Sequence, residues 1–218
     1  MKKESYKTLR FSVCMLGAFF LWTLAVRYVD VQPVGPKGTT VGFATMNQLI
    51  HDLTGVHFAL YAITDWLGLV PLGCVLGFAL LGLTQWIQRK HLGKVDDSIL
   101  VLGTFYILVM LAYLLFEVLV VNYRPVLIDG HLEASYPSST TMLVMCVMPA
   151  AVMEFRTRIK NEVLKRYAIS IIKAFILFMI ICRLFSGVHW FSDIIGGVLL
   201  SAALVGFYRA GVLLQACL

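Results

Sequence analysis

The sequence predicts an all-α integral membrane protein, a single domain over residues 1–218 built as a bundle of about six transmembrane helices. Hydrophobic residues make up 60% of the chain, charged residues only 14%, and the mean hydropathy is +0.85. Soluble domains carry a charged share of about 25%. The net charge of +6 would indicate nucleic acid in a soluble protein. Here membrane topology accounts for it, and we expect no nucleic-acid partner.

Six apolar segments approach the length of about 20 residues that an α-helix needs to cross a bilayer. They cover residues 11–28, 60–86, 97–121, 139–155, 168–185 and 191–213. The first follows a basic lead but shows no small-residue cleavage site, so we expect it to be retained as a helix. Residues 29–58 predict a loop that leads into an amphipathic helix on the membrane surface.

Basic residues cluster before the first segment, after the second and after the fourth, which are all on one side of a six-pass arrangement. The three clusters are Lys2, Lys3, Lys7 and Arg10; Arg89, Lys90 and Lys94; and Arg156, Arg158, Lys160, Lys165 and Arg166. The positive-inside rule makes this side cytoplasmic. The sequence therefore predicts a multi-pass protein of the cell membrane with both termini in the cytoplasm.

The connection between the fifth and sixth segments carries the most informative chemistry. It contains Arg183, His189 and Asp193 between two very apolar stretches. Ionisable groups at such a place are costly, and they favour a functional site. Arginine can fork onto an oxyanion, histidine can act as a nucleophile, and an aspartate four residues later can orient the ring.

Further polar residues fall at the same outer ends of the predicted helices. Arg124 follows the third segment, and Ser138 stands at the start of the fourth. Helices joined by short connections pack as neighbours, so we expect these residues to converge on one outward-facing pocket with Arg183, His189 and Asp193. Arginines, hydroxyls and the N–H groups of a helix start bind oxyanions. This combination predicts phosphoryl transfer through a phosphohistidine.

The spacing resembles the type 2 phosphatidic acid phosphatase family, a group of six-helix lipid phosphatases. The family's third signature, Ser-Arg-x5-His-x3-Asp, is nearly intact as Arg183-x5-His189-x3-Asp193, with Cys182 in the serine position. The resemblance implies that His189 is the nucleophile and Asp193 its orienting partner. It implies neither a metal nor a cofactor.

The family's first signature, Lys-x6-Arg-Pro, is partly kept. Arg124-Pro125 is present, but Glu117 occupies the lysine position. The resemblance implies that Arg124 and Arg183 bind phosphate oxygens. With Glu117 in place of the lysine, the predicted phosphate-binding residues have one positive charge fewer and gain a negative one.

The family's second signature, Pro-Ser-Gly-His, is also partly kept. Pro137-Ser138 is present, while Ser139 replaces the glycine and Thr140 replaces the histidine. The resemblance implies phosphate contacts from Ser138, Ser139 and Thr140. The family's histidine protonates the leaving alkoxide, and a threonine hydroxyl is too weak an acid for that step.

Three outcomes follow from this loss. A polyprenyl diphosphate needs little protonation, because a lipid monophosphate is a better leaving group than an alkoxide. Another acid on the outer side can substitute, with His51, His131 and Glu133 as candidates. Alternatively, the pocket binds or transports a phosphorylated lipid without turning it over.

We expect a lipid phosphate or diphosphate hydrolase, with the non-catalytic binder as the alternative; a structural membrane protein without a ligand is a third reading. The sequence leaves the oligomeric state open.

Overall fold

The computed structural model describes residues 2–215, so residue 1 and residues 216–218 lie outside the description. Its regular structure is helical, apart from isolated bridges between short loop segments. The α-helices are α1 (Lys2–Tyr28), α2 (Ala44–Thr54), α3 (Phe58–Leu67), α4 (Leu69–Arg89), α5 (Asp97–Val118), α6 (Ser139–Arg158), α7 (Glu162–Phe185) and α8 (Phe191–Gln215). The predicted all-α class is confirmed.

Several helices extend beyond their predicted apolar segments, because polar first turns do not register in hydropathy. α1 begins at Lys2 rather than at residue 11, and α7 begins at Glu162 rather than at residue 168. The side-chain oxygen of Asn161 caps α7 by accepting from the amides of Val163 and Leu164, both at 3.0 Å. The prediction of a helix within residues 29–58 corresponds to α2.

The predicted segment 60–86 is two helices, α3 and α4, which are separated at Gly68. Pro71 lies in the first turn of α4, and its ring would clash with the carbonyl of residue 67 if the helix were continuous. The amide of Gly68 donates to the carbonyl oxygens of Thr64 and Asp65, at 3.0 and 3.1 Å. α3 therefore ends in a tight turn, and it packs against α7.

Five helical segments within residues 2–215 are long and apolar enough to cross a membrane: α1, α3 with α4, α5, α7 and α8. α6 has 20 residues and carries serine and threonine at its start and glutamate and arginine at its end. It packs against α4, α5, α7 and α8, and much of it is buried. α6 therefore lies inside the bundle, in contact with four other helices.

α1 and α8 form the most extensive helix pair, and small residues allow their close approach. A Cβ atom on Gly206 would lie 2.1 Å from the hydroxyl of Ser12, so only glycine fits there. Ser5 donates to the carbonyl of Ala210 at 3.1 Å. Small residues are the usual means by which membrane helices come into contact. At the other end of the pair, the indole N–H of Trp22 donates to the carbonyl of Ser192 at 3.0 Å and holds the start of α8, which carries Asp193.

Candidate functional site

The α7–α8 loop (residues 186–190) holds His189, and contacts with the α2–α3 loop fix its shape. Gly187 has a φ of +68°, and a Cβ atom there would lie 2.1 Å from the carbonyl oxygen of Gly55. The amide of His57 donates to the carbonyl of Ser186 at 3.0 Å. Because both the backbone angle and the close approach require glycine, the loop has little freedom to move.

The imidazole of His189 is held in one tautomer. Its Nδ1 lies 3.1 Å from the carbonyl oxygen of Ser135, which can only accept, so Nδ1 carries the proton. Its Nε2 lies 3.3 Å from Nη2 of Arg183, which can only donate, so Nε2 presents a lone pair. His189 is 3% exposed, and this burial, together with the charges of Arg183 and Arg124, holds its pKa well below the usual range. The ring is therefore neutral at neutral pH.

Arg183 lies near the end of α7 and is 2% exposed. Besides His189, it donates from Nη1 to the hydroxyl of Thr64 on α3, at 3.2 Å. Its Nε–H has no hydrogen-bond partner among the described residues. A buried guanidinium with an unused donor is poised to bind an anion.

Arg124 enters the site from the α5–α6 hairpin (residues 122–135). Its amide donates to the carbonyl of Glu133 at 3.0 Å, and its Nε lies 3.0 Å from a carboxylate oxygen of the same residue. The N–H of Nε does not point along this contact, so the contact is an ion pair without a well-aligned hydrogen bond. Nη1 of Arg124 is also buried without a partner in the described chain. The hairpin therefore supplies one cation and one anion together.

The ring of Tyr61 on α3 joins the two arginines. The guanidinium carbon of Arg183 lies 5.0 Å from the ring centre, and that of Arg124 lies 5.9 Å from it. Both distances fall within the range of a cation–π interaction. The two like charges thus share one aromatic side chain.

Asp193 is fully buried at the start of α8. Its carboxylate hydrogen-bonds to the α7–α8 loop and lies farther from the His189 ring. One carboxylate oxygen accepts the amide of Trp190 at 3.0 Å, and the other accepts the side-chain amide of Asn122 at 3.2 Å. The distance to Nδ1 of His189 is 3.8 Å, longer than that from Nδ1 to the Ser135 carbonyl. The nearest acceptor to the predicted nucleophile is therefore a backbone oxygen rather than the predicted aspartate.

The start of α6 lies beside this cluster. Ser138 is buried, its amide donates to the carbonyl of Asp193 at 3.1 Å, and its hydroxyl accepts from Thr141 at 3.0 Å. Ser139 and Thr140 line a cavity of about 280 Å³ between α4, α5 and α6, whose other walls are mostly apolar. Ser138 therefore braces α8, whereas the next two residues line an apolar space.

The predicted substitute acids are spread around the site. Glu133 pairs with Arg124, as described above. His51 on α2 packs against the ring of Trp190, with ring centres 5.6 Å apart, and its Nε2 is buried without a partner in residues 2–215. His131 is exposed and bridges to Ile128 near the tip of the hairpin. Glu133 is thus the candidate in contact with a phosphate-binding arginine.

Sequence reasoning missed three residues that contact the predicted site: Tyr61, Thr64 and Asn122. Tyr61 and Thr64 are three residues apart and share one face of α3, but the segment reads as uniformly apolar. A polar hydroxyl within a predicted span was the available signal for Thr64. Asn122 stands two residues before Arg124, and this position was the only feature of the sequence that could have linked it to the site.

Comparisons with known proteins identify the family and the fold. A family model described as the PAP2 superfamily matches residues 105–213. No curated protein matches the sequence. Among solved structures, the fold is similar to that of the first transmembrane PAP2 type phosphatidylglycerolphosphate phosphatase from Bacillus subtilis, with a TM-score of 0.61 and 17% sequence identity. The match covers 94% of this chain and 96% of that one, and at this identity it establishes the fold alone. Tyr61 and Thr64 lie outside the matched family region.

Proposed function

Because the chain belongs to the PAP2 superfamily, we propose that it is a membrane lipid phosphatase that acts through a phosphohistidine at His189. The observation that carries this proposal is the tautomer of His189. Its Nδ1 proton is committed to a carbonyl, and its Nε2 lone pair faces the Arg183 guanidinium at 3.3 Å. A neutral nucleophile beside a buried cation is the arrangement that phosphoryl transfer requires.

In the first step, Nε2 of His189 gives up its hydrogen bond from Nη2 of Arg183, which then donates to a phosphate oxygen. Nε2 attacks phosphorus and forms a P–N bond while the bond from phosphorus to the lipid-side oxygen breaks. The lipid leaves with that electron pair. In the second step, water attacks phosphorus, the P–N bond breaks, and phosphate and the neutral imidazole are restored. Arg183 and Arg124 stabilise the equatorial oxygens through the unused donors at Nε and Nη1. Asp193 and Asn122 hold the loop and the hairpin in register around the ring.

The cavity of about 280 Å³ supports a lipid rather than a soluble substrate. It is lined largely by apolar side chains of α4, α5 and α6, and Thr140 lies at its wall. Apolar cavities of this kind hold hydrocarbon. Because Ser139 and Thr140 at its wall directly follow Ser138, which contacts Asp193, we propose that this cavity takes the first part of the lipid tail.

Within this class, we favour a lipid diphosphate over a lipid monophosphate. Thr140 offers no proton for a leaving alkoxide, whereas a diphosphate releases a lipid monophosphate that needs none. Glu133 contacts Arg124 and offsets one of the two cations. Both features weigh against a dianionic monoester that carries a poor leaving group.

We place the site on the outer side of the cell membrane, with both termini in the cytoplasm. The positive-inside rule supports this orientation, because the basic clusters lie in the connections at the opposite end of the bundle from His189. Labelling single engineered cysteines in intact cells with a membrane-impermeant reagent tests it. A cysteine at His131 should react from outside, and a cysteine at Lys90 should not.

The decisive experiment is phosphate release from lipid mono- and diphosphates by the purified protein in detergent. The wild type should release phosphate, and His189→Ala should not. His91→Ala is the matched control, because His91 lies in an exposed turn between α4 and α5. Equal activity of wild type and His189→Ala would refute the proposal.

A non-catalytic role as a binder or transporter of phosphorylated lipids remains the second candidate. The observations that favour it are the missing acid at Thr140 and the carboxylate of Glu133 beside Arg124. It predicts that orthovanadate or phosphate raises the melting temperature while no lipid is turned over. Arg183→Ala should then remove the stabilisation.

A further inference from the structure

We propose that Tyr61 is a positioning residue that holds the two phosphate-binding arginines in place while leaving their N–H groups available. This inference rests on the proposed function for its ligand, an oxyanion of the phosphate type. It adds a residue from α3, outside the part of the chain that the family model matches.

The first step concerns charge. Arg183 and Arg124 are both buried and carry like charges close to the same aromatic ring. Like charges in a region of low dielectric repel each other strongly. Glu133 pairs with Arg124 alone, so holding the two guanidinium groups near each other calls for a partner that attracts both. The ring of Tyr61 is such a partner, since it lies 5.0 Å from one guanidinium carbon and 5.9 Å from the other.

The Tyr61 ring also leaves the hydrogen-bond donors of the two arginines available. A carboxylate in a two-point pair with an arginine would also occupy the donors that a phosphate needs, whereas Glu133 contacts only Nε of Arg124. An aromatic face attracts a cation through its quadrupole and accepts no conventional hydrogen bond from the edge of the guanidinium. Nε of Arg183 and Nη1 of Arg124 accordingly lack protein partners among the described residues. Tyr61 therefore provides attraction without competing with the substrate.

A second residue of α3 fixes the position of Arg183. Thr64, one turn after Tyr61 on α3, accepts from Nη1 of Arg183 at 3.2 Å. One face of α3 therefore fixes Arg183 at two points, and the break at Gly68 ends the helix just beyond them. Preorganised charge of this kind lowers the cost of reorganisation when phosphate binds.

The test compares Tyr61→Phe with Tyr61→Leu. Tyr61→Phe keeps the ring, so phosphate release and the affinity for orthovanadate should stay within about twofold of wild type, because the attraction comes from the aromatic face. Tyr61→Leu removes the face and should weaken orthovanadate binding by about tenfold, with a matching rise in KM. Phe58→Leu is the control, because Phe58 is an exposed aromatic residue on the same helix.

Orthovanadate binding is read from the shift in melting temperature, which needs no turnover. If the wild type binds orthovanadate but releases no phosphate, the proposed function fails and the role of Tyr61 can still be tested. The inference is overturned if Tyr61→Leu binds orthovanadate as tightly as wild type. It is equally overturned if Tyr61→Phe is as weak as Tyr61→Leu, because the hydroxyl would then carry the effect. A loss of affinity in Phe58→Leu as large as in Tyr61→Leu would assign the change to the helix rather than to the ring.

Discussion

Replacing Glu133 by glutamine should strengthen phosphate binding, because its carboxylate competes with the ligand for Arg124. At the observed 3.0 Å, the attraction between unit charges in bulk water is about 1.4 kcal/mol. The Glu133 side chain is 42% exposed, so solvent screening and side-chain entropy reduce the net value to about 1 kcal/mol or less. A ligand that no longer has to displace this pair should bind up to about fivefold more tightly.

The measurement is competitive inhibition of lipid turnover by inorganic phosphate or orthovanadate, with the shift in melting temperature as a second readout. Asp129→Asn is the matched control, because Asp129 is exposed near the tip of the same hairpin and the change removes the same charge. Only Glu133→Gln should lower the inhibition constant. Unchanged or weaker binding in Glu133→Gln would refute the competition. An equal gain in both variants would show that only long-range charge matters.

Three further outcomes follow from the site. Thr140→His restores the acid of the family signature and should raise monophosphate turnover by about tenfold or more, with little change for diphosphates, in a phosphate-release assay. The pKa of His189 lies well below its ordinary value of 6.5. The ring therefore stays unprotonated when the pH is lowered past 6.5. The acidic fall of kcat/KM should therefore lie below pH 6.5, and a fall centred at or above it would contradict this. Gly187→Ala should abolish activity and lower the melting temperature, since its Cβ would lie 2.1 Å from the Gly55 carbonyl; Gly17→Ala, which meets no atom within 4 Å, should do neither.

The sequence was most informative where a motif spans a single short connection. Arg183, His189 and Asp193 fall within eleven consecutive positions, so the end of α7 and the start of α8 must bring them close. The sequence was less informative about which group contacts the ring of His189. Spacing favoured Asp193, but the backbone carbonyl of Ser135 is the nearer acceptor. A backbone oxygen has no sequence signature, so such a partner is visible only in the fold.

The sequence was least informative where two remote segments meet. Glu133 faces Arg124 because the hairpin pairs Tyr123 with Ala134, and apolar patterns do not set this register. Tyr61 reaches both arginines because α3 ends at Gly68 and packs on α7. Hydropathy merges α3 with α4 into one predicted segment, since a helix break changes direction without changing composition.

The charges around His189 connect these findings. Arg183 and Arg124 face one carboxylate that fixes the loop, Asp193, and one that pairs with a cation, Glu133. A carboxylate paired with arginine has no proton to give to a leaving group, but it can accept one from a water molecule. In the proposed mechanism, such a residue would assist hydrolysis of the phosphohistidine and would not assist its formation from an alkyl monoester. A site that carries a base and lacks an acid is therefore matched to a substrate whose leaving group departs as an anion, as a lipid monophosphate does.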